Sequence, residues 1–191
     1  VDDDAGADTG AQRDGKHIRD VFAILHSAGA CHKFAVGCRI GIIGDRPDRS
    51  RPSQQRLDGC LEAMQQLGLP FDFDKQYGYA RFSLEESYAA AEYLLAHCPG
   101  LTAIFAMSDL MAVGAIRAIQ DHGLHVPQDI AVAGYDGIAL GRYTVPRLTT
   151  IRQNTTVLAE RAADILLRCI EENAPAHHET VPFELVEGES V

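Results

Sequence analysis

One segment constrains the fold of this chain more than any other: residues 102–137, which read TAIFAMSDLMAVGAIRAIQDHGLHVPQDIAVAGYDG. Residues 102–106 and 130–134 are short apolar runs without alternation, as is typical of parallel strands that are covered on both faces. Between them, apolar residues recur at the spacing of one buried helical face, and Gly123 ends the helix. The segment therefore predicts a strand, a helix and a second, parallel strand.

Polar residues follow both strands of this unit. Ser108 lies where the first strand gives way to the helix, and Asp136 follows the second strand. The carboxyl ends of neighbouring parallel strands lie at one edge of a sheet, and ligands bind at that edge in open α/β proteins. Ser108 and Asp136 are therefore the first candidates for a binding site.

Composition limits the classes of protein to which the chain can belong. Its 191 residues are 46% hydrophobic, enough for a buried core, and its net charge of -10 argues against a general nucleic-acid-binding surface. The five cysteines are scattered and contain no CxxC pair, which fits a reducing cytosol better than a disulfide framework or a structural zinc site. No apolar run reaches the roughly eighteen residues of a membrane span. We expect a cytoplasmic globular protein without a metal, a cofactor or membrane contact.

The rest of the chain repeats the alternation of strands and helices. This alternation predicts an α/β fold with a parallel sheet and right-handed crossovers. Pro182 indicates that the last strand lies at an edge of the sheet. The predicted extended segments are residues 39–44, 71–79 and 179–187, and the predicted helices begin near Ser53, at the Ser83 capping box with Glu86, and near Thr155.

Three strings carry a family resemblance: RLDGCLEAM at residues 56–64, the segment 103–136 ending in GYD, and VPRLTTIRQNTTVLAERAADILL at residues 145–167. In order and spacing they resemble the effector-binding part of the LacI/GalR family of bacterial transcriptional repressors over about residues 37–191. The resemblance implies a doubly wound, two-lobed fold of the periplasmic-binding-protein type I class with a ligand cleft. The carboxyl-terminal lobe would be complete and the amino-terminal lobe partial.

The resemblance also implies a division of the chain. Residues 1–37 correspond to a remnant of the amino-terminal lobe, and residues 38–149 to the carboxyl-terminal lobe. Residues 150–175 cross to the amino-terminal lobe and form a helix there, and residues 176–191 return as the final strand. Residues 10–37 are longer than the matching interval in relatives, which indicates an insertion or an altered sequence. The DNA-binding domain of a full-length relative would lie outside this chain.

Two residues match charged positions of the family's ligand cleft. Arg56, in the RxxG of the first helix, resembles an arginine that reaches ligand hydroxyls or carboxylates, and its planar donor fork suits paired oxygens. Asp136 resembles an aspartate that accepts hydrogen bonds from neighbouring hydroxyls. The alternatives are a surface arginine paired within its own helix, and an aspartate that only caps its turn.

Three further residues are candidates for ligand contact. Ser108 could bind ligand groups at the start of its helix, or serve only as the N-cap. Phe82 falls near an aromatic position that lines the cleft, and the alternative is ordinary core packing. Gln153 lies at the crossover between lobes, where it could contact the ligand or serve only the hinge.

The function implied by the resemblance is ligand sensing. A sugar, a sugar derivative, or a nucleoside or purine would close the two lobes and shift the DNA-binding domains of a homodimer, which alone contact operator DNA. The alternative is a periplasmic sugar-binding protein of an ABC uptake system, which uses the same fold. Residues 146–151, PRLTTI, resemble repressors more than carriers. We do not expect an enzyme, because the GxSxG, HExxH and Walker motifs are absent.

An apolar loop is the candidate for the dimer contact. It carries Ile138, Leu140, Tyr143 and Val145, and it matches a region that contributes to the family's contact between subunits. The alternative is a loop that packs on its own domain.

Overall fold

Six strands form the sheet around which the chain folds. The computed structural model describes residues 39–49, 51–175, 177 and 179–191, so the predicted remnant at residues 1–37 lies outside the described residues. The order across the sheet is β2-β1-β3-β4-β5-β6. In chain order the strands are β1 (Ile40–Gly44), β2 (Tyr77–Tyr79), β3 (Ala103–Ala106), β4 (Ala131–Asp136), β5 (Thr149–Gln153) and β6 (Phe183–Val186).

The first five strands are parallel, and β6 runs antiparallel to β5 at one edge. Every residue of β1 and β3 is buried, as expected for apolar strands that are covered on both faces. The predicted α/β fold with a parallel sheet is therefore confirmed. The final strand, which Pro182 places at an edge, is confirmed as well.

Helices connect the parallel strands. Helix α4 starts at the Ser108 N-cap, as predicted, and packs against α3, β3 and β4. The Ser83 hydroxyl caps α3 by accepting from the Glu86 N–H at 3.3 Å, whereas the Glu86 carboxylate bonds Arg81. The helix bounds are α1 (Arg51–Gln66), α2 (Phe73–Gln76), α3 (Leu84–His97), α4 (Asp109–Asp121) and α5 (Thr155–Glu171), with 3-10 turns at Pro47–Arg49 and Ala139–Arg142.

One local feature differs from the sequence predictions. Residues 71–79 are not one extended segment, because the Asp72 side chain accepts from the Asp74 N–H and caps the single turn of α2 before β2 begins. Helix α1 begins at Arg51, two residues before Ser53 and thus near the predicted start. Pro52 is tolerated there because a first-turn residue donates no hydrogen bond within the helix.

One hydrophobic core joins α1, α3 and α4 to the sheet. Buried side chains of α1, including Leu57 and Met64, belong to the same cluster as Leu94 of α3 and Ile116 of α4. Helix α5 differs from these three helices, because it contains several leucines but none of its residues is buried. Within the described part of the chain, no helix is both long and apolar enough to cross a membrane.

Candidate ligand-binding site

Three parallel strands bring polar residues to one edge of the sheet. Strand β3 leads into Met107 and Ser108, β4 ends on Asp136, and β5 ends on Gln153. Asp136 is paired with Arg152 in the β4–β5 ladder, so Gln153 lies one residue further along the neighbouring strand. The structure therefore places these residues at the edge that the sequence predicts.

Arg56 reaches this edge from α1. Its Nη1 donates to the Met107 carbonyl oxygen at 2.6 Å, and its Nη2 donates to Asp136 Oδ1 at 3.2 Å. Its guanidinium carbon lies 4.1 Å from the centroid of the Tyr135 ring, within the range of a cation–π contact. Its partners all lie outside its own helix, so the alternative of an ion pair within that helix is wrong.

Asp136 is the acceptor at the centre of the cluster. Gln153 Nε2 donates to Asp136 Oδ1 at 2.7 Å, so both Arg56 and Gln153 bond the same carboxylate oxygen. Burial raises the pKa of Asp136, and the positive charge of Arg56 and the bond from Gln153 oppose that rise. Asp136 Oδ2 has no hydrogen-bond partner among the described residues. Since 28% of the Asp136 side chain is exposed, this oxygen can accept from a ligand.

The backbone that carries Asp136 has an unusual conformation. Asp136 has φ 112° and Gly137 has φ 72°, both in the region that residues with a side chain rarely adopt. A Cβ atom at Gly137 would lie 2.5 Å from the Arg152 side chain, so a glycine is required there for space as well. Asp136 does not cap this turn itself, since its carboxylate bonds Arg56 and Gln153 instead.

The Asp109 carboxylate, and not that of Asp136, accepts a hydrogen bond from the backbone of this turn. Its Oδ2 accepts from the Ile138 N–H at 2.7 Å, and its Oδ1 accepts from the Thr150 hydroxyl. Asp109 is fully buried, and burial is the main cause that raises its pKa to about 6. The sequence does not single out Asp109, because an acidic residue in the first turn of a helix is common.

The Ser108 side chain is hydrogen-bonded to the first turn of its own helix. Its Oγ accepts from the Met111 N–H at 3.2 Å, which makes it the N-cap of α4, and its side chain is buried. The N-cap role predicted as the alternative is therefore confirmed. A ligand role of the Ser108 hydroxyl stays a prediction.

Phe82 lies in the loop between β2 and α3, away from the core. Its side chain is 55% exposed, so the alternative of ordinary core packing is wrong. The loop follows the carboxyl end of β2, and thus lies at the same edge of the sheet as the cluster. A stacking role for Phe82 stays a prediction.

A cleft of about 730 Å³ opens beside Asp136. Asp136, Arg142 and Gln153 contribute polar groups to its wall, whereas Arg56, Ser108 and Phe82 do not line it. In the part of the chain that the structure describes, no group of three His, Cys, Asp or Glu side chains could hold a metal ion. The cleft and the cluster beside it therefore offer hydrogen-bond donors and acceptors to a polar molecule.

The model for the periplasmic binding protein-like domain matches residues 34–191. The chain belongs to this family. The sheet, the helices between its parallel strands and the polar residues at its carboxyl edge thus lie within a periplasmic binding protein-like domain.

Similar proteins of this family regulate transcription. The chain is 38% identical over 136 residues to the HTH-type transcriptional repressor PurR of Pasteurella multocida, an alignment that covers 71% of this chain and 40% of PurR. A structure of the transcriptional regulator CelR with cellobiose matches with a TM-score of 0.81 and 27% identity, covering 93% of this chain and 52% of that one. The lac repressor dimer bound to operator and the anti-inducer ONPF matches with a TM-score of 0.79 and 25% identity, covering 93% and 58%.

These matches confirm the resemblance to LacI/GalR regulators. They also define its extent, since the chain spans about two fifths of the length of PurR and just over half of the two solved structures.

The predicted dimer loop presents apolar side chains at the surface of this periplasmic binding protein-like domain. Tyr143 is 80% exposed and Val145 is 82% exposed, and Ile138 and Leu140 are also exposed. The loop is ordered by its own contacts, because Gln120 Nε2 donates to the Val145 carbonyl oxygen at 2.9 Å. The side chains of Tyr143 and Val145 therefore do not pack on their own domain, whereas Ile138 and Leu140 are partly covered by it. A dimer contact through this loop stays a prediction.

Proposed function

We propose that this chain is the effector-binding part of a bacterial transcription regulator of the LacI/GalR type. The observation that carries the proposal is the cluster of Arg56, Asp136 and Gln153 at the carboxyl edge of the sheet, in a chain whose relatives PurR and CelR regulate transcription. These relatives favour a regulator over a carrier of an ABC uptake system. No catalytic residue is part of the proposal.

The proposed effector is a small polar molecule such as a sugar, a sugar derivative, a nucleoside or a purine. Asp136 Oδ2 is free among the described residues to accept from a ligand hydroxyl or N–H. Arg56 carries five N–H donors and uses two nitrogens for Met107 and Asp136, which leaves donors for a ligand oxygen. The exposed ring of Phe82 is suited to stack on a sugar or a base. In keeping with a sugar, the similar structure of CelR is a complex with cellobiose.

The opposite wall of the cleft would come from a second lobe. Helix α5 supports this arrangement, because it has 17 residues, none of them buried, and exposes Leu166 at 60% and Ile170 at 69%. An exposed row of large apolar side chains on a long helix is a surface that another part of a protein covers. The proposed division assigns residues 1–37 and, from the segment 150–175, helix α5 to the amino-terminal lobe, and residues 38–149 and 176–191 to the carboxyl-terminal lobe. Residues 150–153 still belong to β5, which pairs with β4 and β6, so the crossover follows Gln153.

The proposed mechanism is a shift between open and closed arrangements of the two lobes. An effector changes this equilibrium only if it binds one arrangement more tightly than the other. Asp136 and Arg56 meet this requirement if they contact the effector together with groups of the opposite lobe. Closure would then change the distance between the DNA-binding domains of a homodimer in the cytoplasm.

The gene sequence upstream of the codon for Val1 tests the regulator directly. We expect it to encode a helix-turn-helix domain, whose recognition helix would read operator DNA. An upstream secretory signal would instead refute the regulator and support the ABC carrier.

Sedimentation of the whole protein tests the proposed dimer. A variant that carries Tyr143→Ser and Val145→Ser is expected to sediment as a monomer at concentrations at which the unaltered protein is a dimer. The matched control is Tyr79→Ser, which removes another aromatic ring that is 51% exposed but lies outside the loop. The proposed interface would be wrong if the double variant dimerised as tightly as the control.

A further inference from the structure

Asp109 is a buried residue whose carboxylate accepts hydrogen bonds from the two segments that carry Asp136 and Gln153. It is the first residue of α4, but Ser108 already caps that helix, so the helix start does not explain the side chain of Asp109. Its two oxygens bond the Ile138 N–H, just after β4, and the Thr150 hydroxyl in β5. Asp109 thus links both strands whose ends carry Asp136 and Gln153.

The backbone of the turn that Asp109 binds is strained, so other contacts must stabilise it. Asp136 and Gly137 follow one another with positive φ angles of 112° and 72°. A non-glycine residue in this region is strained, and such strain persists only where the surrounding contacts fix the backbone. The bond from Asp109 to the Ile138 N–H lies two residues after Asp136, which is where it can fix this backbone.

Strand β4 is shaped to admit the Asp109 side chain. A Cβ atom at Gly134 would overlap Asp109 Oδ1 and would lie 2.9 Å from the Leu148 side chain. Only a residue without a side chain at position 134 therefore lets the carboxylate reach both of its partners. The missing side chain at Gly134 makes room for the Asp109 carboxylate, and the two hydrogen bonds hold the carboxylate in that position.

We propose that Asp109 is a positioning residue of the ligand-binding site: it holds the 136–138 turn so that the Asp136 carboxylate faces Arg56 and Gln153. Asp109 does not line the cleft, so it acts through Asp136 rather than by contact with an effector. That loss of Asp109 weakens effector binding rests on the proposed function. The placement of the turn itself is a property of the free protein.

Amide hydrogen exchange of the full chain tests the placement without any ligand. In Asp109→Ala, the exchange of the Ile138 amide is expected to rise at least ten-fold more than the exchange of amides in β1, because the acceptor of this N–H is gone. Asp109→Asn keeps one acceptor oxygen and the shape of the side chain, so it should restore the protection of Ile138 to within about three-fold of the unaltered chain.

Leu94→Ala is the matched control for general destabilisation, since Leu94 is fully buried on α3 and lies outside the turn. It should raise exchange at Ile138 and in β1 alike. Thr150→Val removes one donor to Asp109 and keeps the carboxylate, and it should raise exchange at Ile138 selectively, even if Asp109→Ala does not fold. The proposal is overturned if neither Asp109→Ala nor Thr150→Val exposes Ile138 more than Leu94→Ala does.

Binding of cellobiose and adenosine to the whole protein distinguishes this inference from the proposed function. If either compound binds the unaltered protein, Asp109→Ala should weaken that binding at least ten-fold and Asp109→Asn by no more than three-fold. Equal binding by Asp109→Ala would overturn the consequence for the site. If neither compound binds, the choice of effector fails, while the exchange experiment still decides the role of Asp109.

Discussion

The pH dependence of folding gives a sharp test of the buried Asp109. Burial raises the pKa of Asp109 from 3.8 to about 6, and a pKa difference of this size corresponds to about 3 kcal/mol between the two protonation states. Between these two values the folded chain binds a proton that the unfolded chain has already released. Protonation of Asp109 therefore stabilises the fold by up to about 3 kcal/mol below pH 3.8, and this contribution is lost as the pH rises through 6.

Asp109→Asn isolates this contribution, because an asparagine has a similar shape and does not titrate in this range. The free energy of unfolding of both proteins is measured by urea denaturation between pH 4 and pH 7.5. We expect the stability of the unaltered chain, relative to the variant, to fall by up to about 3 kcal/mol as the pH rises, most of it between pH 4 and 6. Curves that stay parallel across this range, or that diverge in the opposite direction, would refute the reasoning.

Three substitutions test separate parts of the fold by urea denaturation. Ser108→Ala removes the bond to the Met111 N–H and should cost about 1 kcal/mol, and no loss would mean that α4 does not need this cap. Gly134→Ala places a Cβ against Asp109 and should cost about 1 to 3 kcal/mol, so an unchanged stability would disprove the close approach. Ile170→Lys should change the stability of this chain by no more than about 0.5 kcal/mol, because its side chain is 69% exposed, but should destabilise the whole protein if a second lobe covers α5.

The sequence predicts the central unit of the fold well. The runs at 102–106 and 130–134 become β3 and β4, and the helix between them begins at the Ser108 cap, because short apolar runs and caps are local signals. The family resemblance singles out Arg56, Asp136 and Gln153, and the structure brings these three side chains into hydrogen-bond contact.

The parts that the sequence does not predict depend on contacts between distant residues. Asp109 bonds Ile138 and Thr150, which lie 29 and 41 positions away, and no spacing rule links such residues. Arg56 also bonds the carbonyl oxygen of Met107, a backbone group that every residue type carries. The turn of α2 depends on a side-chain bond of Asp72 to the backbone, which competes with the extended conformation that its neighbours favour.

Helix α5 differs from α1, α3 and α4 in the burial of its apolar side chains. The buried core of α1, α3 and α4 is complete among the described residues, whereas α5 exposes its apolar side chains. The sequence pattern of such a helix is the same as that of any other amphipathic helix, whether or not its leucines are buried. Only the structure distinguishes a helix that packs on this sheet from one whose apolar side chains remain uncovered.

Calorimetric titration of the whole protein tests most directly whether Arg56 and Asp136 contact the effector. A panel of sugars and nucleosides is titrated into the unaltered protein, into Arg56→Ala, and into Arg147→Ala. Arg147 pairs with Glu189 at 2.9 Å and precedes β5, so this control breaks an arginine–carboxylate pair at the opposite edge of the sheet. We expect Arg56→Ala to lose at least about 1.5 kcal/mol of binding free energy for the compound that binds, and Arg147→Ala to lose none. Equal affinity in Arg56→Ala and in the unaltered protein would contradict the assignment of the site.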